Sequence, residues 1–337
     1  MYPLTREVGF MQSTSKLPLI PASFFGIVLG LAGLGGAWRI AHRVWHLPSA
    51  VGESILLLAT AVWLVLLVLY VAKWFSARAH AIAELDHPIQ CCFVGLIGVT
   101  TMLVAAAALP YAWPLAFCLF ILGGIYTLTF AVWRTGALWG GGREAAHTTA
   151  VLYLPTVAGS FVMASVASAL GYTDWAQLAF GAGFFSWLAI ESVLIHRLFT
   201  AEPLAVAVRP TLGIQLAPPT VGSFALLSLG TPPASVFLVH AMFGYGLLQA
   251  LILIRLLPWI RAQPFSAGYW GFTFGVTALA AVPLRLVEIG DQGPITLLAP
   301  YLFVGANLIL AIVVLGTLRL LLRGTLLASP TPAGSRG

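Results

Sequence analysis

The sequence predicts an all-α integral membrane protein of ten transmembrane helices, and three observations carry that expectation. Of the 337 residues, 60% are apolar and 8% are charged, whereas a soluble domain carries roughly a quarter charged residues. The apolar residues fall into ten runs, near 18–38, 52–75, 88–109, 112–133, 150–171, 174–197, 210–230, 234–257, 267–289 and 295–322. Each is close to the ~20 residues that span the hydrocarbon layer. The basic residues, finally, collect in alternate gaps between the runs.

The runs lack the polar alternation of a membrane β-barrel strand, so helices, which pair their own backbone groups, are the form that lipid permits. The organisation expected is a polar N-terminal tail over 1–17, a ten-helix domain over 18–323 and a C-terminal tail over 324–337. Met1 to Lys16 lacks a signal-peptide pattern, so the run from Leu17 is read as the first span.

The connections alternate in length. Leu109 to Ala112, Gly171 to Asp174 and Gly230 to Ala234 are tight, while 76–87, 134–149, 198–209 and 258–266 are longer and charged. That pattern gives five helical hairpins in series. Of the 16 basic residues, all but Arg39, Arg43 and Arg285 fall on the side of the longer linkers. By the positive-inside rule, that side and both termini are cytoplasmic. The net charge of +6 is thereby read as a topology signal rather than as a nucleic-acid footprint.

Other chemistry is missing from the pattern. Cys91, Cys92 and Cys118 match no metal spacing and read as small hydrophobes. No metal-ligating His-Glu-x-x-His, nucleophile elbow or Walker loop occurs, and Gly140 to Gly142 is a flexible link. The sequence therefore implies no enzyme, no metal and no cofactor.

Odd and even spans differ in composition. The odd spans are richer in glycine and carry Pro21, Pro88, Pro155, Pro218, Pro219 and Pro283; the even spans are bulkier, as in Ile55 to Leu58 and Leu308 to Leu315. Proline inside a helix removes a backbone hydrogen bond and bends the axis. Small residues either allow close helix packing or leave room for a conduit, and composition alone leaves both readings open. The odd–even split favours an inner ring of kinked odd helices and an outer, lipid-facing ring of even ones. Gly26, Gly30, Gly95, Gly159, Gly213, Gly271 and Ala278 are the lumen candidates.

Span 9 is the most informative. Ala267, Gly271, Phe274, Ala278 and Ala281 recur at steps of four and three, so they share one face. One large ring stands in a stripe of small residues, and Phe272 points elsewhere. Facing a lumen, Phe274 is its obstruction; facing a neighbour, it fills a groove. Charged groups lie toward the span ends. Glu191 sits toward the linker side of span 6, Arg285 and Glu288 are spaced for an ion pair on span 9, and His240 reads as a packing histidine.

Several ordered stretches carry a resemblance: Phe24 to Leu31, Thr100 to Val104, Leu152 to Ala158, Gly171 to Asp174, Leu212 to Pro218, Phe243 to Gln249 and Phe272 to Val276. Over about Pro18 to Arg323 the chain resembles the tellurite-resistance/dicarboxylate transporter family, of the TehA type, which includes the plant guard-cell slow anion channel. The resemblance implies five hairpins in quasi-fivefold arrangement around a central pore, with odd helices inside and even helices outside. It also implies a phenylalanine gate at Phe274, homotrimers in a bacterial inner membrane, and small inorganic or carboxylate anions as cargo. Gly159-Ser160 and Glu191-Ser192 depart from relatives that carry asparagine and Glu-Pro there. Two functions follow: an anion channel linked with tellurite resistance, or a proton-coupled carrier of C4-dicarboxylates or tellurite whose relay begins at Glu191.

Overall fold

The computed structural model describes residues 18–327 apart from Thr231. The expected tails, with Arg6, Lys16 and Arg336, lie outside the described residues except for 324–327. Ten membrane-directed helices follow in order: α1 (Ala22–Trp45), α2 (Ser49–Ser76), α3 (Gln90–Ala108), α4 (Trp113–Trp139), α5 (Ala150–Ala169), α6 (Thr173–Thr200), α7 (Ala217–Ser228), α8 (Pro233–Ile260), α9 (Ala267–Glu288) and α10 (Pro294–Leu322). No strand occurs among the described residues. Nine of these helices are long and apolar enough to cross a membrane.

The exception is α7. The sequence predicts one continuous span over 210–230, but the chain forms a 3-10 segment, Val206–Leu216, and then only 12 α-helical residues. Pro210 sits inside the first piece, and Pro218 and Pro219 occupy the first turn of the second. Three missing N–H donors in ten residues leave the α-helical ladder unable to run through.

The same irregularity recurs at the linker-side end of every odd helix. α1 opens with a 3-10 turn, α3 is interrupted at Gly95, α5 begins with 3-10 and π turns around Pro155, and α9 begins with a 3-10 segment, Ala267–Phe272. Non-helical backbone at membrane depth is tolerated where protein or a cavity, rather than lipid, surrounds it.

Burial sorts the helices into two shells. Across the apolar stretch of α1, α3, α5 and α9, 72% of residues are buried, against 22–33% in the even helices. Each odd helix packs on its even successor as a hairpin, and the odd helices close a ring: α1 on α3, α3 on α5, α5 on α7, α7 on α9 and α9 on α1. Hairpin α3–α4 shows how close the members come. A Cβ on Gly98 would lie 2.6 Å from the carbonyl oxygen of Gly123, so only glycine lets these backbones touch. The turns use left-handed residues, among them Gly171 at φ 90° between α5 and α6 and His46 at φ 54° after α1.

One element was not expected. Within the charged linker 76–87, Arg78–Asp86 forms a short helix. The buried Lys73 ammonium bridges it to the core, 2.6 Å from Glu84 and 2.9 Å from the Ile20 carbonyl. The second Glu84 oxygen accepts the Ala22 N–H at 2.7 Å, satisfying a donor at the start of α1.

Candidate pore along the ring axis

Two cavities lie on the axis of the ring. The linker-side cavity has a volume of about 60 Å³ and is lined by the irregular starts of the odd helices, including Ser23, Gly26, Phe93, Tyr153, Thr211 and Gly271. The turn-side cavity is larger, about 410 Å³, and is lined by the other ends, including Gly33, Gly36, Ser165, Thr277 and Ala278. Two residues, Phe274 and Val221, line both. The Phe274 ring on α9 and the Val221 side chain on α7 therefore stand at the partition.

The stripe on α9 can be followed from end to end. Ala267 and Gly271 face the linker-side cavity, Ala278 and Ala281 the turn-side cavity, and Phe274 both. Phe272 points out of the stripe, and a Cβ on Gly213 would lie 2.4 Å from its ring.

The remaining glycine candidates separate into two groups. Gly26 lines the linker-side cavity. Gly30, Gly95, Gly159 and Gly213 line neither cavity and sit at close helix contacts. A Cβ on Gly30 would lie 2.3 Å from Thr273 Oγ1, one on Gly95 2.9 Å from the Phe130 ring, and one on Gly159 2.3 Å from Thr127 Cγ2. Gly36, which composition did not single out, faces open space with nothing within 4 Å.

The three turn-side arginines also converge. Arg39, Arg43 and Arg285 all line the larger cavity. Arg39 grips Glu53 with two bonds of 2.7 Å and reaches the Ala106 and Ala107 carbonyls at 3.3 and 2.9 Å. It thereby satisfies carbonyls left open at the end of α3. Arg43 and Arg285 both bind Glu288, so the expected Arg285–Glu288 pair is a triad. Two carboxylates, Glu53 and Glu288, thus hold all three guanidinium groups. Nearby, His240 lies 2.8 Å from both the Val236 carbonyl and Asp291.

Glu191 is a joint between helices. One carboxylate oxygen accepts from Tyr153 Oη and, at 2.9 Å, from Trp187 Nε1. The other accepts from Tyr245 Oη at 2.6 Å, Gln215 Nε2 at 3.1 Å and Gln249 Nε2 at 3.2 Å. Five donors from α5, α6, α8 and the segment before α7 meet on one carboxylate. Tyr153 alone among them lines a cavity, so Glu191 stands behind the wall rather than in the lumen. Glutamine side chains spaced far apart in sequence gave no signal of this convergence.

Residues 20–318 match the family model described as voltage-dependent anion channel. The chain belongs to that family. It is 35% identical over 323 residues to the tellurite resistance protein TehA homolog of Haemophilus influenzae, covering 94% of this chain and 95% of that protein. It is 24% identical to the guard cell S-type anion channel of Arabidopsis thaliana, covering 80% of this chain and 50% of the plant protein. A third relative, an uncharacterized transporter of Methanocaldococcus jannaschii, is 24% identical over 79% of this chain and 84% of its own length. The protein is a multi-pass membrane protein of an anion channel and transporter family.

Sequence reasoning missed Val221, Gly36, the arginine mouth and the hub around Glu191. The first two lie on faces where small and branched residues are common throughout, so nothing distinguishes them. The arginines lie far apart in the chain, and only the closure of the ring makes them neighbours.

Proposed function

We propose that this chain is an anion channel of the bacterial inner membrane, passing small inorganic or carboxylate anions along the ring axis, with Phe274 as its gate. The linker face is cytoplasmic, the chain works as a homotrimer with one lumen per subunit, and tellurite resistance is a consequence of its flux. The supporting observation is the placement of Phe274 and Val221 between the two cavities. An apolar ring at a constriction excludes water and hence ions. Among the described residues, no charged side chain lines the linker-side cavity, so an anion is held weakly there and leaves as readily as it enters.

The alternative, a proton-coupled carrier, rests on Glu191. Its one favourable observation is the hydrogen bond to Tyr153, which lines the linker-side cavity. Against it, four of its five partners, Tyr153, Gln215, Tyr245 and Gln249, tie other segments to α6. A reversal-potential series with different anions, at fixed and at shifted pH, separates the readings. A channel gives potentials that follow the anion gradient and ignore the proton gradient. Potentials that move with pH, together with saturable uptake lost in Glu191→Gln, would establish the carrier instead.

A further inference from the structure

At the linker face, outside both cavities, two guanidinium groups converge on one neutral acceptor. Arg134, near the end of α4, donates Nη2–H to the Pro88 carbonyl at 3.1 Å. Arg143, in the loop between α4 and α5, donates to the same oxygen at 3.2 Å and also to the His147 carbonyl. The Nε–H of each arginine is buried and has no partner among the described residues. Among the described residues, neither forms an ion pair.

Arg39, Arg43, Arg285 and Lys73 each have a carboxylate. Among the described residues Arg197 and Arg209 have none, but each is held singly, Arg197 by the Ala145 carbonyl at 3.2 Å and Arg209 by the Leu204 and Trp259 carbonyls at 3.2 and 3.1 Å. Here two like charges share one carbonyl, with two donors left over. Burial first, and then the charge of Arg134, hold Arg143 below the ordinary arginine value. Arginine nonetheless stays charged at any physiological pH, so the charge calls for an anion rather than for loss of a proton.

The spare donors suit a group with several oxygens. Planar guanidinium forks match carboxylate and phosphate, and two of them approaching together favour the larger charge of phosphate. The depth is that of the membrane boundary. Trp133 and Trp139, on the lipid-facing α4 beside Arg134, are 50% and 87% exposed, and exposed tryptophans gather at the headgroup level.

We propose that Arg134 and Arg143 form a phosphate-binding site at the linker-side membrane boundary, separate from the pore. The phosphate belongs either to an anionic lipid headgroup or to a free phosphate ion. An oxyanion here offsets the paired charges, takes the Nη1–H groups that the Pro88 carbonyl leaves free and pins the α4–α5 loop to the start of α3. The inference does not depend on the gating proposal, because its readout is binding and not current.

The test uses the full chain in detergent, measuring thermal unfolding and lipid retention by native mass spectrometry. Phosphatidylglycerol, phosphatidylcholine and inorganic phosphate are the probes. Phosphatidylglycerol is expected to be retained and to stabilise more than phosphatidylcholine, and Arg134→Gln or Arg143→Gln should each weaken it about five- to tenfold. Arg255→Gln, on the same face, should leave it unchanged. Protection by inorganic phosphate alone, lost in the same variants, would support the site with a free ion as occupant. Equal affinity of the variants and the parent for both probes overturns the proposal. Should the variants fail to fold, the parent decides: no preference for phosphatidylglycerol over phosphatidylcholine, and no protection by phosphate, overturns it as well.

Discussion

Replacing Phe274 by alanine removes the one ring that borders both axial cavities. The cavities, about 60 and 410 Å³, then join through a gap wide enough for several waters, each occupying about 30 Å³. An ion crossing the intact constriction loses hydration contacts, and each unmade hydrogen bond to a charged group is worth about 1.5–3 kcal/mol. Restoring even one such contact lowers the barrier by at least one factor of ten, since about 1.4 kcal/mol is tenfold. Anion current in oocytes or planar bilayers should therefore rise about tenfold or more, with Phe274→Leu intermediate. A Phe→Ala change inside a closed core destabilises by about 3–5 kcal/mol. Here open space borders the ring on two sides, so the loss falls at or below the low end. The variant should stay folded, which thermal unfolding and surface expression check. Unchanged current at equal expression would refute the reasoning, because it would place the controlling barrier elsewhere.

Gly36→Val should reduce current without loss of thermal stability, since its Cβ enters open space in the turn-side cavity. Gly30→Val should instead destabilise, since its Cβ meets Thr273 at 2.3 Å. Glu191→Gln should lower stability by about 1–3 kcal/mol, measured by unfolding in detergent, because one of its two acceptor oxygens becomes an NH2 group and the donors that met it lose their acceptor. His87 supplies a pH dependence. Its Nδ1 accepts the N–H groups of Ile89 and Gln90, both at 3.1 Å, and burial, then the charge of His147, lowers its pKa. A histidine with a depressed folded-state pKa contributes stability above its unfolded value, ~6.5, that is lost as pH falls toward the folded value. Unfolding temperatures of the parent should thus drop between pH 7.5 and 5.5 by more than those of His87→Asn, and equal drops would discard the assignment.

The shells were legible because lipid enforces them. An outer helix must present an apolar side to lipid, while an inner one can be small, polar or broken along its length. Hence Pro155, Pro218 and Pro219 mark odd helices, and the 72% against 22–33% burial follows the same division. The stripe Ala267, Gly271, Phe274, Ala278 and Ala281 was legible because one helix carries it whole. The lumen glycines were not. Gly26 and Gly30 stand one turn apart on α1, yet one borders a cavity and the other abuts Thr273. A glycine in a membrane helix answers equally to a void and to a neighbouring side chain, and which it meets is fixed by another helix. The Glu191 hub and the arginine mouth were hidden for the same reason, since each assembles residues from separate hairpins.

That division also bears on selectivity. The cations that line the axis, Arg39, Arg43 and Arg285, lie at the turn-side mouth, and carboxylates hold all three. Offset by those carboxylates and screened over about 8 Å in physiological salt, they can steer an anion toward the proposed pore but cannot bind it tightly. Deeper in, Ser165 and Thr277 direct their hydroxyls to the carbonyls of Phe161 and Phe274 at 3.1 and 3.0 Å. An anion must turn these hydroxyls away from the backbone to be solvated by them. That competition makes each solvation step shallow, and shallow steps suit flux. On the proposed channel reading, preference among anions then follows their dehydration and their size at Phe274 and Val221. Charge substitutions at the mouth, such as Arg43→Gln, accordingly alter conductance and its salt dependence while leaving the permeability sequence intact.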